Sequence, residues 1–232
     1  MARPAMKNDL IQRLKRLDTC AVSDALDRLG ITGQVTTSLP RRASNLKIAG
    51  TAVTCRLVRA GEAVRSDTPV RHLGTTAIEL ANSGDIIVVE QRTGIDAGCW
   101  GGILSLAASI KGIAGVVADG PVRDIEEAHE YNLPVFCSAL TARTARGRVE
   151  EDSVNAPVCV GGVIVQAGDP VIADSSAVVF LPAARAAEII AMAEQIAARE
   201  AAMTKDLLAG RAVTEVMGKD YEHMLVGDAI KG

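Results

Sequence analysis

Apolar positions in the first thirty residues recur at helical spacing. Leu10, Ile11, Leu14, Leu17, Ala21, Val22, Ala25, Leu26 and Leu29 form one stripe, and Gly30 supplies a stop. Within it Asp18-Thr19 offers two good capping residues, so a second helix can start there. Residues 47–58 alternate and are rich in β-branched side chains, which predicts a strand. Val70–Ala81 predicts a short helix closed by the turn Asn82-Ser83-Gly84. From Asp85 the pattern becomes regular. Asp85–Glu90 is a continuous apolar run, as expected of a strand buried on both faces, and a glycine-rich loop follows from Gly94 to Gly102. Ile103–Lys111 predicts a helix ended by Gly112, and Ile113–Ala118 a second buried strand running into a turn at Asp119-Gly120-Pro121. A helix from about Asp124 to Tyr131 and a strand Leu133–Cys137 complete a parallel βαβαβ unit with right-handed crossovers.

The second half changes character. Val158–Val165, Pro170–Ala173 and Ala177–Leu181 read as short strands joined by turns at Gly161-Gly162, Gly168-Asp169 and Asp174-Ser175, an antiparallel or barrel-like segment. Pro182 to Ala209 predicts a long Ala-rich amphipathic helix with Pro182 at its start, and residues 211–232 are weakly patterned. Neither a repeat nor a low-complexity linker interrupts the chain. The expectation is one α/β domain over residues 1–232, with a helical extension from about residue 182.

Composition narrows the partners. Hydrophobic residues make up 48% but aromatics only 2%, so the core must be built from Ala, Val, Ile and Leu. The formal charge is −3 and the basic residues are dispersed, which argues against direct nucleic-acid binding. Five cysteines, Cys20, Cys55, Cys99, Cys137 and Cys159, show no CxxC spacing and read as reduced, mostly buried thiols of a cytoplasmic protein. Cys99, although inside the glycine-rich stretch, reads first as a space-filling residue. The N-terminal residues lack the apolar core of a signal peptide, and no apolar run approaches the ~20 residues of a membrane span.

Ligands of parallel sheets gather beyond the carboxyl ends of the strands, and two loops leave such ends. The first carries Gly101-Gly102-Ile103-Leu104, where glycines let backbone amides at a helix start approach an anion. The second is Asp119 to Asp124. There Asp124 as an N-cap and Glu127 three residues on would make a capping box, which accounts for both without chemistry. It does not account for Arg123, a cation on the wrong end of a helix dipole that needs an anionic partner. His72, His129 and His223 have no metal-ligand spacing and read as surface or capping residues. The nucleophile motif GxSxG and the Walker motif are absent, and no lysine sits in either loop for Schiff-base chemistry. Carboxylate, guanidinium and backbone amides remain, a set suited to Mg²⁺ or Mn²⁺ and a small oxyanion.

Gly102, twenty intervening residues, Arg123-Asp124, two more and Glu127 resemble the Gly-x20-Arg-Asp-x2-Glu signature of RraA-like proteins. The likeness extends through Gly84-Asp85, Gly115, Gly120, Val154 to Val158, Gly168-Asp169, Ile172-Ala173-Asp174 and Val178-Val179. It implies an α/β swivelling β/β/α domain assembled as a trimer or hexamer. It also implies a metal-dependent lyase acting on a 2-oxo acid, either a class II 4-hydroxy-4-methyl-2-oxoglutarate aldolase or an oxaloacetate decarboxylase, with pyruvate as product. Other members regulate ribonuclease E without catalysis, and a lyase acting on a different hydroxy or oxo acid is a further possibility. On the enzymatic reading Asp124 binds the metal and Arg123 the pyruvyl oxygens. The amides around Gly101, Gly102, Ile103 and Leu104 hold the substrate carboxylate, and Glu200 reaches the metal's water shell from a neighbouring subunit. One departure stands out: Gly102 occupies the position of an aspartate in the aldolases, a change that oxaloacetate decarboxylation, which deprotonates no alcohol, tolerates better than aldol cleavage.

Overall fold

Asp18 splits the N-terminal stripe into two helices, α1 (Asn8–Leu14) and α2 (Thr19–Arg28), by accepting the Ala21 N–H at 2.8 Å. The structure, a computed structural model, describes residues 8–64 and 71–218. Val70, where a helix was expected to begin, the tail beyond residue 218 and His223 lie outside the described residues. After α2 come β1 (Val35–Thr36), β2 (Arg41–Ala43), β3 (Ile48–Arg59), α3 (Thr75–Leu80), β4 (Ile86–Glu90), α4 (Gly102–Lys111) and β5 (Gly115–Val122). They are followed by α5 (Ile125–Glu130), β6 (Val135–Leu140), β7 (Val149–Val154), β8 (Val158–Val160), β9 (Val163–Val165), β10 (Pro170–Ala173) and β11 (Val178–Phe180). A 3₁₀ turn (Ala183–Arg185) then leads into α6 (Ala186–Leu208), and α7 (Val213–Val216) closes the described chain.

The expected βαβαβ unit is present, with β3, β4, β5 and β6 side by side and parallel. The second-half strands pair antiparallel, as expected, and join the main sheet: β10, β11 and β1 continue it from the free edge of β3, and β2 closes the far edge against β6. Strand β3 makes this possible through its length. Its first residues pair with β10 and its last with β7, so one edge serves two partners in succession. Among the described strands only β8 and β9 stand apart, as a hairpin turning on Gly161-Gly162, both with positive φ.

The segment Asp119-Gly120-Pro121, expected as a turn, is instead the last part of β5. Its register against β6 shifts between Ala118 and Pro121, and such an irregularity is where a strand tolerates a proline without an N–H to donate. This correction matters for the site, because the strand carries on to deliver Arg123 and Asp124.

The apolar runs bury both faces of the sheet. Ile87, Val89, Val116 and Ala118 face the layer with α3, α4 and α5, where Trp100 is also buried. Their neighbours Ile86, Val88 and Val117 face the side with Phe136, Phe180 and the hairpin valines. A third cluster joins Leu14, Val22 and Leu26 of the N-terminal segment to Ile189 and Ile190 of α6. Cys55, Cys99 and Cys137 are buried, Cys159 is half-buried and Cys20 is exposed; none is in a disulfide. No described helix is long and apolar enough to cross a membrane.

Candidate active site

Two loops meet at the carboxyl ends of β4 and β5 because their backbones are stitched together. The Cys99 N–H donates to the Pro121 carbonyl at 2.8 Å, and the Arg123 N–H donates to the Trp100 carbonyl at 3.1 Å. Trp100 and Val122 form an isolated parallel bridge, so the glycine segment runs alongside the end of β5. Its start is held by buried Gln91, whose amide donates to the carbonyls of Ile95 at 3.0 Å and Ala97 at 3.1 Å. Its end is held by the buried Trp100 indole, which donates to Ser105 Oγ at 3.1 Å, while that hydroxyl donates to the Gly101 carbonyl at 3.0 Å.

Small size is required along this segment. A β-carbon on Gly98 would lie 3.0 Å from Cγ of Arg123, and one on Gly101 would lie 3.1 Å from the Asp124 carboxylate. At Gly102 the space is already taken: a β-carbon there would overlap the carboxylate of Glu127 outright. The glycines therefore let two acidic side chains and one guanidinium press against a helix start.

Asp124 sits at the N-cap position of α5 but does not cap it. Its backbone is left-handed (φ 55°, ψ 44°), and no cap hydrogen bond forms. The carboxylate turns instead across to the other loop, accepting the Gly102 N–H at 3.1 Å and the Arg123 Nε–H at 3.0 Å. The capping-box expectation for Asp124 and Glu127 is thus overturned, for the geometric reason that a left-handed N-cap aims its side chain away from its own helix. The expected anionic partner of Arg123 turns out to be its sequence neighbour. Only Nε is used in that pair, and among the described residues no hydrogen bond engages the terminal Nη groups. Both side chains are about one-third exposed.

Gly101, Gly102, Ile103, Leu104, Arg123 and Asp124 all line one cavity of about 480 Å³. Glu200 does not reach it within the chain. It lies on α6, where burial and the nearby Asp18 and Asp24 push its carboxyl upward. Cys99 is buried with its thiol pushed up by desolvation, so it fills space as expected. Of the histidines, His129 accepts the Ser44 N–H at 3.2 Å through Nδ1, whereas His72 lines the cavity, which its sequence context did not signal. Thr144 and Arg146 line it too, from a loop between β6 and β7. The dense arginines of that loop, Arg143, Arg146 and Arg148, were the only available cue.

A divalent cation was expected on Asp124. Among the described residues no group of three or more His, Cys, Asp or Glu could enclose a metal. A carboxylate about one-third exposed, with a cavity before it, fits a hydrated ion of the Mg²⁺ kind, which keeps most of its waters and takes one or two carboxylates. It does not fit a dehydrated cage such as structural zinc.

Residues 19–180 match the family model RraA-like, described as Aldolase/RraA. The chain belongs to the RraA-like family. Among RraA-like relatives, a Halalkalibacterium halodurans protein provisionally named a 4-hydroxy-4-methyl-2-oxoglutarate aldolase is 29% identical, over 90% of this chain and 95% of its own length. Protein DlpA of Legionella pneumophila is 29% identical over 92% of this chain, which spans only 34% of DlpA. The solved structure of Streptomyces coelicolor RraAS2, titled an unusual member of the RNase ES inhibitor RraA protein family, superposes with a TM-score of 0.74 at 27% identity. It covers 86% of this chain and 96% of its own.

Proposed function

We propose that this RraA-like protein is a divalent-metal-dependent lyase that cleaves a carbon–carbon bond of a 2-oxo acid and yields pyruvate. The observation that carries the reading is the convergence of Arg123 and Asp124 on the glycine-opened start of α4 within one cavity. The aldolase name of the Halalkalibacterium relative supports it.

Asp124 would hold the metal, Mg²⁺ or Mn²⁺, which supplies Lewis-acid polarisation of the substrate's carboxylate and keto oxygen. The chain's own residues do the remainder. Among the described residues no loop carbonyl accepts the Ile103 and Leu104 amides at the first turn of α4, and these amides would receive the substrate carboxylate. Cleavage moves negative charge onto the keto oxygen, and the free Nη groups of Arg123 meet it where it develops. The Arg123–Asp124 pair fixes the guanidinium beforehand, so no reorganisation accompanies the charge shift. The Glu127 carboxylate fills the space a β-carbon on Gly102 would need, but Glu127 does not line the cavity. With glycine at position 102, oxaloacetate decarboxylation, which deprotonates no alcohol, is favoured over aldol cleavage.

The test is a lactate-dehydrogenase-coupled assay for pyruvate over a panel of 2-oxo acids, with and without Mg²⁺. Arg123→Ala and Asp124→Asn should each lower turnover by about 10²–10³-fold, the loss typical of one preorganised donor. Thermal midpoints should stay near wild type, since Asn tolerates the left-handed backbone and still accepts the Gly102 N–H. Activity that survives exhaustive chelation rejects the metal role. The RraAS2 likeness favours a second reading, a non-catalytic regulator of a ribonuclease E type enzyme. Binding to such a ribonuclease, with no pyruvate from any acid in the panel, would establish that instead.

A further inference from the structure

The peptide that joins Gly101 to Gly102 carries little restraint of its own. A glycine on either side removes the β-carbon contacts that ordinarily limit rotation of a peptide plane. Its orientation nevertheless matters, because its two polar ends are both engaged. The Gly102 N–H donates to Asp124 Oδ2 at 3.1 Å. The Gly101 carbonyl accepts the Ser105 N–H at 2.9 Å and the Ser105 hydroxyl at 3.0 Å. The first of these is the opening bond of α4, made by the backbone. The second needs a hydroxyl at position 105.

Trp100 sets the direction of that hydroxyl. An indole N–H can only donate, and it donates to Ser105 Oγ at 3.1 Å. The single hydroxyl proton of Ser105 is then left for the Gly101 carbonyl. Both side chains are buried, so water does not compete for either bond. The four groups form a chain running one way, from indole to hydroxyl to peptide to carboxylate, in which each bond polarises the next. Ser105 does not line the cavity, so it reaches the site only through this chain. Asp124 depends on such support. Among the described residues, only Arg123 Nε and the Gly102 N–H donate to its carboxylate.

We infer that Trp100 and Ser105 are positioning residues, which hold the Gly101–Gly102 peptide in the orientation that fixes the Asp124 carboxylate for a divalent cation. The inference rests on the metal-dependent reading and adds to it the buried side chains that prepare the carboxylate beforehand.

Three variants of the full-length protein separate this role from simple support of the fold. Ser105→Ala breaks the chain. Ser105→Ala with Trp100→Phe also removes the indole N–H that the first change leaves without an acceptor. Ile87→Val, in the same buried layer, lowers stability without touching the chain. Affinity for Mn²⁺ alone is read from the electron paramagnetic resonance signal of the free ion. Ser105→Ala should weaken it about tenfold, the lower end of what loss of an outer-shell partner costs. The double variant should weaken it no further, because the indole acts through the hydroxyl, and Ile87→Val should match wild type. In ¹⁵N-glycine-labelled protein without metal, Ser105→Ala should also move the Gly102 amide proton upfield, as a weakened donor requires. An unmoved Gly102 amide, wild-type affinity in Ser105→Ala, additive losses in the double variant, or an equal loss in Ile87→Val would each overturn the positioning role and leave the metal reading intact. A wild type that binds no Mn²⁺ would remove the metal reading, and the proposal with it.

Discussion

At the scale of single residues, the site depends on one backbone angle and one missing methyl group. Asp124 has φ 55°, a conformation that costs a non-glycine residue of order 1 kcal/mol and that Asp tolerates better than most. The strain turns a would-be helix cap toward the Gly102 amide. Gly102 is the complementary half: its φ is ordinary, so only the Glu127 carboxylate demands glycine there. Gly→Ala in such a helix would normally stabilise by about 0.4–1 kcal/mol. Here Gly102→Ala should destabilise, because the methyl group must displace Glu127, and it should lower turnover as well. Adding Glu127→Ala should recover the stability, giving a coupling of about 0.5–3 kcal/mol in a double-mutant cycle read by urea unfolding. Additive effects would show that Glu127 does not occupy that space. The sequence placed Arg123, Asp124 and Glu127 close together, but the sign of φ at position 124 is invisible in the letters. A capping box and a cross-loop carboxylate are spelled identically.

Among the elements, α2 is anchored to the β10–β11 turn by one carboxylate. Asp174 accepts the Thr19 N–H at 2.9 Å, the Thr19 hydroxyl at 2.7 Å and the Ser176 N–H at 2.8 Å. Partial burial pushes its carboxyl up, but these donors together outweigh it and hold the group below the ordinary value of 3.8. A depressed carboxyl contributes stability above its unfolded pKa and loses it as pH falls through the folded one. Asp174→Ala should therefore cost about 1–3 kcal/mol near neutral pH, the loss of charge-assisted bonds to a half-buried group. The gap between wild type and variant should narrow in acid, below the ordinary carboxylate range. Urea titrations at the two pH values test this, and a gap independent of pH would show that the charge on Asp174 is immaterial. Helices and buried strands were legible because Leu14, Val22 and Ile189 or Ile87 and Val89 repeat at periods set by burial. The short strands β1 and β2 were not legible, since two or three residues carry no period. β7 was missed because only Val149 along it is fully buried, so it lacks an apolar run. The membership of β10 and β11 in the main sheet depended on the double pairing of β3, a long-range fact that no local pattern encodes.

For the whole molecule, the features left unfinished lie beside the cavity. Ile103 and Ile110 are each 79% exposed on α4, with Leu106 between them on the same face. An apolar helical stripe starting at the site is suited to contact with a second copy of the chain, and isologous or cyclic contacts of that kind build trimers and hexamers. Glu200 does not line the cavity of its own chain, so any part it takes there must come from a neighbouring copy. Two inactive variants can decide whether sites are shared. If Glu200 acts across an interface, Glu200→Gln and Arg123→Ala should each be impaired alone, yet regain activity when unfolded together and refolded as a mixture. Random assembly of equal amounts in a ring makes about a quarter of the sites whole, with Arg123 from one subunit and Glu200 from the next. Ile110→Asp, placed on both chains, should abolish the recovery and shift the mass measured by light scattering toward a monomer, because it puts a charge into the apolar contact. Recovery requires both a shared site and an assembly, so its absence in a mixture that still oligomerises would confine catalysis to residues of a single chain. A mixture that recovers but is insensitive to Ile110→Asp would instead move the interface away from α4 while keeping Glu200 in the site.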